Sequence, residues 1–125
     1  MTVADSFEDL VVWQRGCRVA VRVFKMVRNM KNYGLKDQIE RSAISISSNI
    51  AEGSERPPQD FAKFIGYLLG SVAELKTQLY IADEAALIDT KDRTETTREL
   101  SEIARMLNRL RQSLDATAPR HRRPR

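Results

Sequence analysis

The sequence contains very few of the residues that secreted, membrane and catalytic proteins depend on. There is one cysteine, one histidine and one tryptophan in 125 residues. One cysteine can form no disulfide within the chain, which favours a reducing, cytoplasmic setting. No apolar run approaches the ~18 residues of a membrane-spanning helix, and the polar, acidic start lacks the pattern of a signal peptide. We therefore expect a cytoplasmic protein with no membrane partner.

The shortage of catalytic and metal-ligating side chains points away from an enzyme. The only histidine, His121, lies among arginines at the end of the sequence, where no fixed geometry is expected. Zinc sites built on histidine, Glu-x-x-His pairs of di-iron bundles, and Ser-His or Cys-His pairs are thereby excluded. No glycine-rich stretch carries the Lys-Ser/Thr of a phosphate-binding loop. We predict no catalytic residue, no cofactor and no metal.

The net charge of +4 belongs to one end of the chain. Lysine and arginine total 21 and the acidic residues total 17. The last seven residues, PRHRRPR, hold four arginines and no acid. These are Arg120, Arg122, Arg123 and Arg125. We expect a charge-balanced body over residues 1–118 and a disordered basic tail over 119–125, which serves either as a nucleic-acid contact or as a solubilising terminus.

Helix breakers divide the body into four segments. They lie at Asn32-Tyr33-Gly34, at Gly53 with the prolines that follow it, and at Asp89-Thr90. Within each segment the apolar residues recur at steps of three and four, which is typical of a helix with one apolar face. A serine at position 6 with Asp9 three residues later resembles a capping box at the first helix. The predicted helices span about residues 7–30, 35–52, 58–87 and 92–114.

The apolar positions of the four segments predict the core. The first segment offers Trp13, Cys17, Ala20, Phe24 and Val27, with Cys17 interpreted as a small buried hydrophobe. The second and fourth offer Leu35, Ile39, Ala43, Ile46 and Ile50, and Leu100, Ile103, Leu107, Leu110 and Leu114. The third has an unbroken seam of Phe61, Ile65, Leu68, Val72, Leu75, Leu79, Ala82 and Ala86. With short loops, this predicts an all-α fold, an elongated antiparallel up-down four-helix bundle with left-handed packing.

The third segment has more apolar surface than one seam requires. A second stripe lies about 100° around the helix from the first. It comprises Ala62, Gly66, Leu69, Ala73 and Tyr80. Two interpretations remain open: a second internal face, since a bundle helix touches two neighbours, or an interface between subunits.

A basic stripe on the first helix is the candidate nucleic-acid surface. Its residues step by three and four and have no acid between them: Arg15, Arg18, Arg22 and Lys25. A stripe of one sign can follow the phosphates of a nucleic acid. The alternative is an ordinary helix face paired with acids of the fourth helix, namely Glu95, Glu99 or Glu102.

One segment of the second helix is polar where periodicity gives no reason for it, and here the chain resembles a known family. The segment is RSAISISSNIAEG at 41–53, followed by Arg56. Together with FEDLVVWQ at 7–14, FAKFIGYLLGS at 61–71, and Glu74 to Gln78, it resembles the four-helix-bundle proteins encoded by intervening sequences in bacterial 23S rRNA genes. That family includes the accessory proteins of diversity-generating retroelement reverse transcriptases. The match extends over most of the chain.

The resemblance implies a four-helix bundle assembled into a ring, typically a homopentamer. The reverse-transcriptase accessory members bind nucleic acid and the polymerase through strongly basic surfaces, whereas the body of this chain is neutral. The polar positions that match the family are Arg41, Ser45, Asn49, Glu52, Arg56, Glu74 and Gln78. We expect them to form a structural polar network that fixes helix register or the subunit contact. A ligand site is the alternative.

Taken together, these features predict a non-enzymatic oligomeric bundle. Its predicted partners are further copies of itself, and RNA or a nucleic-acid-processing protein, with non-specific phosphate contacts from the helix-one stripe and the tail. The alternative is a structural ring or protein-protein interaction module that binds no nucleic acid.

Overall fold

The computed structural model describes Phe7 and residues 10–117, and over these residues the chain forms four α-helices. They are α1 (Val11–Met26), α2 (Tyr33–Ser54), α3 (Pro58–Glu84) and α4 (Thr90–Thr117). The capping pair expected at Ser6 and Asp9, and the basic tail, lie outside the described residues. No described helix is long and apolar enough to cross a membrane.

The helices pack as an antiparallel four-helix bundle. Each contacts its neighbours in sequence, and α1 also contacts α4, so that the bundle closes. Between α3 and α4, Lys76 Nζ donates a hydrogen bond of 2.8 Å to Ser101 Oγ, and further along α3 Asp83 pairs with Arg93, earlier in α4. The partner on α4 moves backward as α3 advances, which requires antiparallel helices. The predicted fold class is confirmed.

The core follows the predicted seams in α2, α3 and α4. Their fully buried large side chains are Ile39, Ile46, Ile50, Ile65, Leu68, Leu75, Leu79, Leu100, Ile103 and Leu107. Burial of each such side chain contributes on the order of 1.5–3 kcal/mol to folding. Leu35, Leu110 and Leu114 are half-buried at the edge of this core. The prediction is wrong for Ala86, which is exposed and lies beyond the end of α3.

The buried face of α1 is rotated from the predicted one. Val12, Gly16, Val19 and Val23 are buried within the helix, and Val27 is buried just after it. Trp13, Cys17 and Ala20 of the predicted stripe instead lie half-buried along the edge of α1 that meets α2, and Phe24 is exposed. Contact with both α2 and α4 sets this rotation, because the core of α1 must point between its two neighbours.

The helix ends differ from the predicted boundaries for local reasons. Helix α1 begins at Val11 and ends at Met26, shorter than predicted at both ends. Helix α2 begins two residues earlier than predicted because Asn32 caps it: Asn32 Oδ1 accepts a hydrogen bond of 3.2 Å from the Leu35 amide. Gly53 lies inside α2 rather than ending it through a left-handed conformation.

Helix α3 ends in a left-handed alanine. Ala86 has φ of 61°. The Leu87 amide donates to the Ala82 carbonyl at 2.8 Å and the Ala86 amide donates to the Asp83 carbonyl at 2.9 Å. These two bonds define a Schellman motif, in which glycine is the preferred residue at the position of Ala86. The sequence supplies no glycine there, so the helix end was not evident from the pattern.

Ala86→Gly is expected to stabilise the protein by about 0.5–1 kcal/mol, because glycine adopts positive φ without the Cβ clash. Urea unfolding of the variant and the parent measures the difference. Ala85→Gly, one residue earlier at negative φ, is the control and is expected to be neutral or destabilising. Equal effects at both positions would contradict the assignment of the cap.

Gly53→Ala is expected to destabilise the protein by about 1–2 kcal/mol. A Cβ at position 53 would lie 2.8 Å from Phe61 Cδ1 and 3.1 Å from Phe64 Cβ. Gly34→Ala in the same helix is the matched control, because the nearest atom to a Cβ there is 4.0 Å away. Thermal and urea unfolding of both variants tests the close α2–α3 packing, and a neutral Gly53→Ala would contradict it.

Candidate functional site

Half of the predicted basic stripe forms the seam between α1 and α4. Arg15 donates from Nε to Glu99 Oε2 at 2.7 Å and from Nη2 to Glu99 Oε1 at 2.8 Å. Two turns further along α1, Arg22 pairs with Glu95, which lies one turn before Glu99 on α4. Arg15 and Arg22 therefore pair with α4 as the paired-face alternative expects, and phosphate contacts from the stripe stay a prediction. Glu102, the third acid considered, pairs instead with Arg105 of its own helix, at 2.5 Å.

The ion pair at Arg15 changes the protonation chemistry of both partners. The hydrogen bond from Arg15 lowers the pKa of Glu99 below its ordinary value of 4.5, and the charges of Arg15, Arg18 and Arg22 lower it further. The same hydrogen bond raises the pKa of Arg15. Both groups are thus held charged at neutral pH, and they offer a structural contact rather than an acid or base for catalysis.

The other half of the stripe remains exposed and is joined by a second basic stripe on α4. Arg18 and Lys25 are exposed on α1. On α4, Arg98, Arg105 and Arg109 are exposed and recur at steps of seven and four, so that they share one outward stripe. Sequence reasoning missed this second stripe because Glu102 lies within it and the outer face of α4 has charges of both signs.

The four helices differ in charge, and helices of like sign are neighbours. Helix α1 has four basic residues and no acidic one, and α4 has six basic and five acidic. Helix α2 has two basic and three acidic residues, and α3 has two basic and four acidic. Because α1 contacts α4 and α2 contacts α3, the described bundle has a basic side and an acidic side. The balanced total conceals this separation.

The predicted polar network is replaced by short pairs within helices. Arg41 pairs with Asp37 at 2.6 Å, and Arg56 pairs with Glu52 at 3.2 Å. Ser45 Oγ donates to the Ser42 carbonyl at 2.8 Å. These bonds do not link the polar residues of α2 to those of α3, because Arg41, Glu52 and Arg56 are exposed on the outside of the bundle. Asn49 is half-buried and Glu74 is exposed.

Some of these residues nevertheless line one groove between α2 and α3. Its volume is about 520 Å³. The lining residues are Gly34, Asp37, Gln38, Arg41, Ser42, Ser45, Ser71, Glu74 and Gln78. Gln78 is 9% exposed and its Oε1 has no hydrogen-bond partner among the described residues. The groove thus brings together Arg41, Ser45, Glu74 and Gln78, while Asn49, Glu52 and Arg56 lie outside its lining.

A second groove, between α1 and α2, is mainly apolar. Its volume is about 400 Å³. The lining residues are Phe7, Trp13, Cys17, Ala20, Ile44, Ser47, Ser48 and Ala51. Ile44 is 48% exposed. Three of the residues predicted as the core of α1, namely Trp13, Cys17 and Ala20, therefore form one wall of this open groove.

The second stripe of α3 is divided between the interior and the surface. Ala62 and Leu69 are half-buried, and Leu69 packs against the core. Gly66, Ala73 and Tyr80 are exposed, so a second wholly internal face is wrong for this stripe. Arg93 of α4 lies over the Tyr80 ring, with 5.6 Å between the guanidinium carbon and the ring centroid. The exposed part of the stripe is open to a partner.

Two further expectations concern metals and the tail. In Phe7 and residues 10–117, no group of three or more His, Cys, Asp and Glu side chains is arranged to hold a metal ion. Arg120, Arg122, Arg123 and Arg125 lie outside the described residues, so the nucleic-acid contact predicted for them stays a prediction.

Comparison with known proteins supports the resemblance found in the sequence. A family model of the 23S rRNA-intervening sequence proteins matches residues 8–109. A crystal structure from Bacteroides thetaiotaomicron, of a protein with unknown function from the S23 ribosomal protein family, has a TM-score of 0.75 and 23% sequence identity. The match covers 84% of this chain and 98% of that one, and it shows a shared fold. No curated protein matches the chain.

Glu99→Gln is expected to lower the free energy of unfolding by about 1 kcal/mol at pH 7, because it removes the charge from a two-point contact with Arg15. The pKa of Glu99 is lowered in the folded state, so its stabilising effect is present above its ordinary pKa and is lost as the pH falls through the folded-state value.

Urea unfolding of the parent and of Glu99→Gln at pH 7 and at pH 3 measures this. The difference between them should shrink at the lower pH. Arg15→Gln should have a similar effect at pH 7, and the double variant should lose no more than either single one plus a few tenths of a kcal/mol. Additive losses would contradict a direct Arg15–Glu99 interaction.

Proposed function

The chain belongs to the 23S rRNA-intervening sequence protein family, and from this premise we propose that it is a non-enzymatic oligomeric bundle that binds RNA or a ribonucleoprotein through phosphates. The observation that carries the proposal is the separation of charge between the two sides of the bundle. Exposed cations on α1 and α4 flank the seam whose acids are already paired. The oligomer, which the family resemblance implies to be a homopentameric ring, would repeat this basic side in every subunit.

The chemistry of the basic side suits phosphates better than bases. Its exposed cations are arginines and lysines on two helices, and they can contact successive phosphates of a flexible strand. Phe24, the neighbour of Lys25 in the chain, is exposed but belongs to the stripe of α1 that begins at Trp13, and α4 contains no aromatic residue to stack on bases. We therefore expect binding that depends strongly on salt and weakly on sequence, with the tail arginines adding a second contact.

A structural ring or protein-protein interaction module without nucleic-acid binding is the second candidate. It is favoured by the apolar groove between α1 and α2 and by the exposed Tyr67, Tyr80 and Ile81 on α3. Such surfaces mark contacts with other proteins. This candidate predicts oligomers and protein partners with no affinity for RNA at any salt concentration.

A salt titration of binding to single-stranded RNA distinguishes the two candidates. The affinity of the full chain should fall as salt rises. Replacing Arg18, Lys25 and Arg98 together with glutamine should reduce the slope of log affinity against log salt by up to about 2, because each phosphate contact on a single strand contributes ~0.7.

The matched control replaces Arg41, Arg56 and Lys63, on the acidic side, with glutamine and should leave the slope unchanged. A third variant replaces Arg120, Arg122, Arg123 and Arg125 with glutamine and reports the contribution of the tail. No binding at low salt, or equal losses in the basic-side variant and its control, would contradict the proposed RNA contact.

A further inference from the structure

A third groove lies between α3 and α4, where the basic side of the bundle meets the acidic side. Its volume is about 290 Å³. It is lined by Lys76, Thr77 and Tyr80 of α3 and by Arg93 and Thr97 of α4, and none of these described lining residues is acidic. The groove therefore presents two cations, two threonines and one aromatic ring.

Tyr80 supplies the ring, and a fixed cation lies over it. The Arg93 guanidinium carbon is 5.6 Å from the ring centroid. Arg93 is itself held in place, because its Nε donates a hydrogen bond of 2.9 Å to Asp83 Oδ2. Tyr80 is nevertheless 53% exposed, so part of the ring is open to solvent. A ring positioned in this way can stack on a planar group that arrives from solvent.

Lys76 supplies a positive charge that no acid of the described chain neutralises. Its Nζ donates a hydrogen bond of 2.8 Å to the hydroxyl of Ser101, which is a neutral partner. The ion pairs of the described residues do not include it. Lys76 is half-buried and precedes Tyr80 by one turn of α3, so the ammonium group and the ring lie on the same face of the helix.

The charges around the groove determine where an anion can lie. Glu84, one turn beyond Tyr80, is exposed and repels an anion from that end. Lys76 attracts it at the other end. On α4, the exposed Arg98 follows a lining residue of the groove and belongs to the second basic stripe. A chain of phosphates that passed Lys76 would therefore continue onto the basic side of the bundle.

Tyr67 is another exposed tyrosine of α3, and its surroundings differ. It is 71% exposed and packs edge-on against Phe64, with 6.2 Å between the centroids. Arg56, which follows α2, lies 5.0 Å from the Phe64 centroid, so Tyr67 belongs to the flank of α3 that meets α2. Of these two tyrosines, Tyr80 alone lies beside α4 and its basic stripe.

From these observations we propose that the α3/α4 groove binds one nucleotide of a single-stranded RNA, with the base stacked on the Tyr80 ring and the phosphate paired with Lys76. The stack requires an unpaired base, because in a duplex the neighbouring bases cover each base face. Stacking on an aromatic ring accepts any base, so it agrees with weak sequence dependence. The inference rests on the proposed RNA contact and narrows its substrate to single strands.

The test begins with the ring. Tyr80→Leu removes the ring at an exposed position and keeps an apolar side chain. Its affinity for a fluorescein-labelled single-stranded RNA should fall about five- to tenfold, because the stacked base is lost. The slope of log affinity against log salt should not change, because the ring contacts no phosphate. Tyr80→Phe keeps the ring and should bind as the parent does.

Two further variants separate stacking from charge. Tyr67→Leu is the matched control, and its affinity should equal that of the parent. Lys76→Gln can keep a hydrogen bond to Ser101 but loses the charge, so the salt slope should fall by about 0.7. Thermal unfolding verifies that each variant remains folded.

Two other strands locate the contact of the ring. A strand of tetrahydrofuran spacers of the same length carries the phosphates without bases, and the RNA annealed to its complement carries bases that are all paired. Fluorescence anisotropy at one low salt concentration should give the parent and Tyr80→Leu equal affinities for each of these two strands.

Three outcomes would overturn the stacking contact and leave the phosphate contact of the proposed function in place. They are equal affinity of the parent and Tyr80→Leu for single-stranded RNA, an equal loss in Tyr67→Leu, and an equal loss on the spacer strand. Absence of RNA binding by the parent at low salt would refute both the stacking contact and the proposed function.

Discussion

The contact between the first and last helices is the constraint on which the other features depend. Sequential packing joins α1 to α2, α2 to α3 and α3 to α4, but only the α1–α4 contact closes the bundle. Arg15 and Arg22 reach across this seam to Glu99 and Glu95, and the Arg15 pair has two hydrogen bonds. Burial of the valine face of α1 between α2 and α4 fixes the rotation of α1 about its axis, and the two arginine pairs lie at the edge of that contact.

That rotation decides what remains on the surface. It points Val19 and Val23 into the core and leaves the edge that contains Trp13 and Cys17 beside α2, where it becomes a groove wall rather than core. It also pairs two of the four stripe cations, Arg15 and Arg22, with acids of α4. The cations left over are joined by the arginines of α4, and together they give the bundle a basic side opposite an acidic one. The contact that closes the bundle thus sets both the apolar and the charged surface available to partners.

The sequence predicts the fold well because the fold depends on patterns within single helices. The seam from Phe61 to Ala82 and the breaks at residues 32–34, 53–58 and 89–90 are visible without knowledge of any neighbour. The family resemblance likewise came from short motifs in a fixed order. The predicted helix boundaries were less accurate because helix ends depend on caps such as Asn32 and on the left-handed conformation of Ala86. An alanine in the sequence does not indicate that conformation.

The candidate surfaces were predicted less well because they depend on contacts between helices. A helix considered alone does not show that Arg15 pairs with Glu99 rather than with solvent. Nor does it show that Arg98 and Arg105 point outward. The polar residues of α2 form local bonds, as the Arg41–Asp37 pair shows. A network across helices would have required facing partners that α3 offers only in part, at Glu74 and Gln78.

We propose that copies of the chain come together through the apolar surfaces that the closed bundle leaves exposed, among them the groove between α1 and α2. Light scattering over a wide concentration range tests this most directly. We expect masses that are multiples of the 14.3 kDa chain and that increase with concentration until a closed ring forms. A mass of 14.3 kDa at every concentration would contradict it.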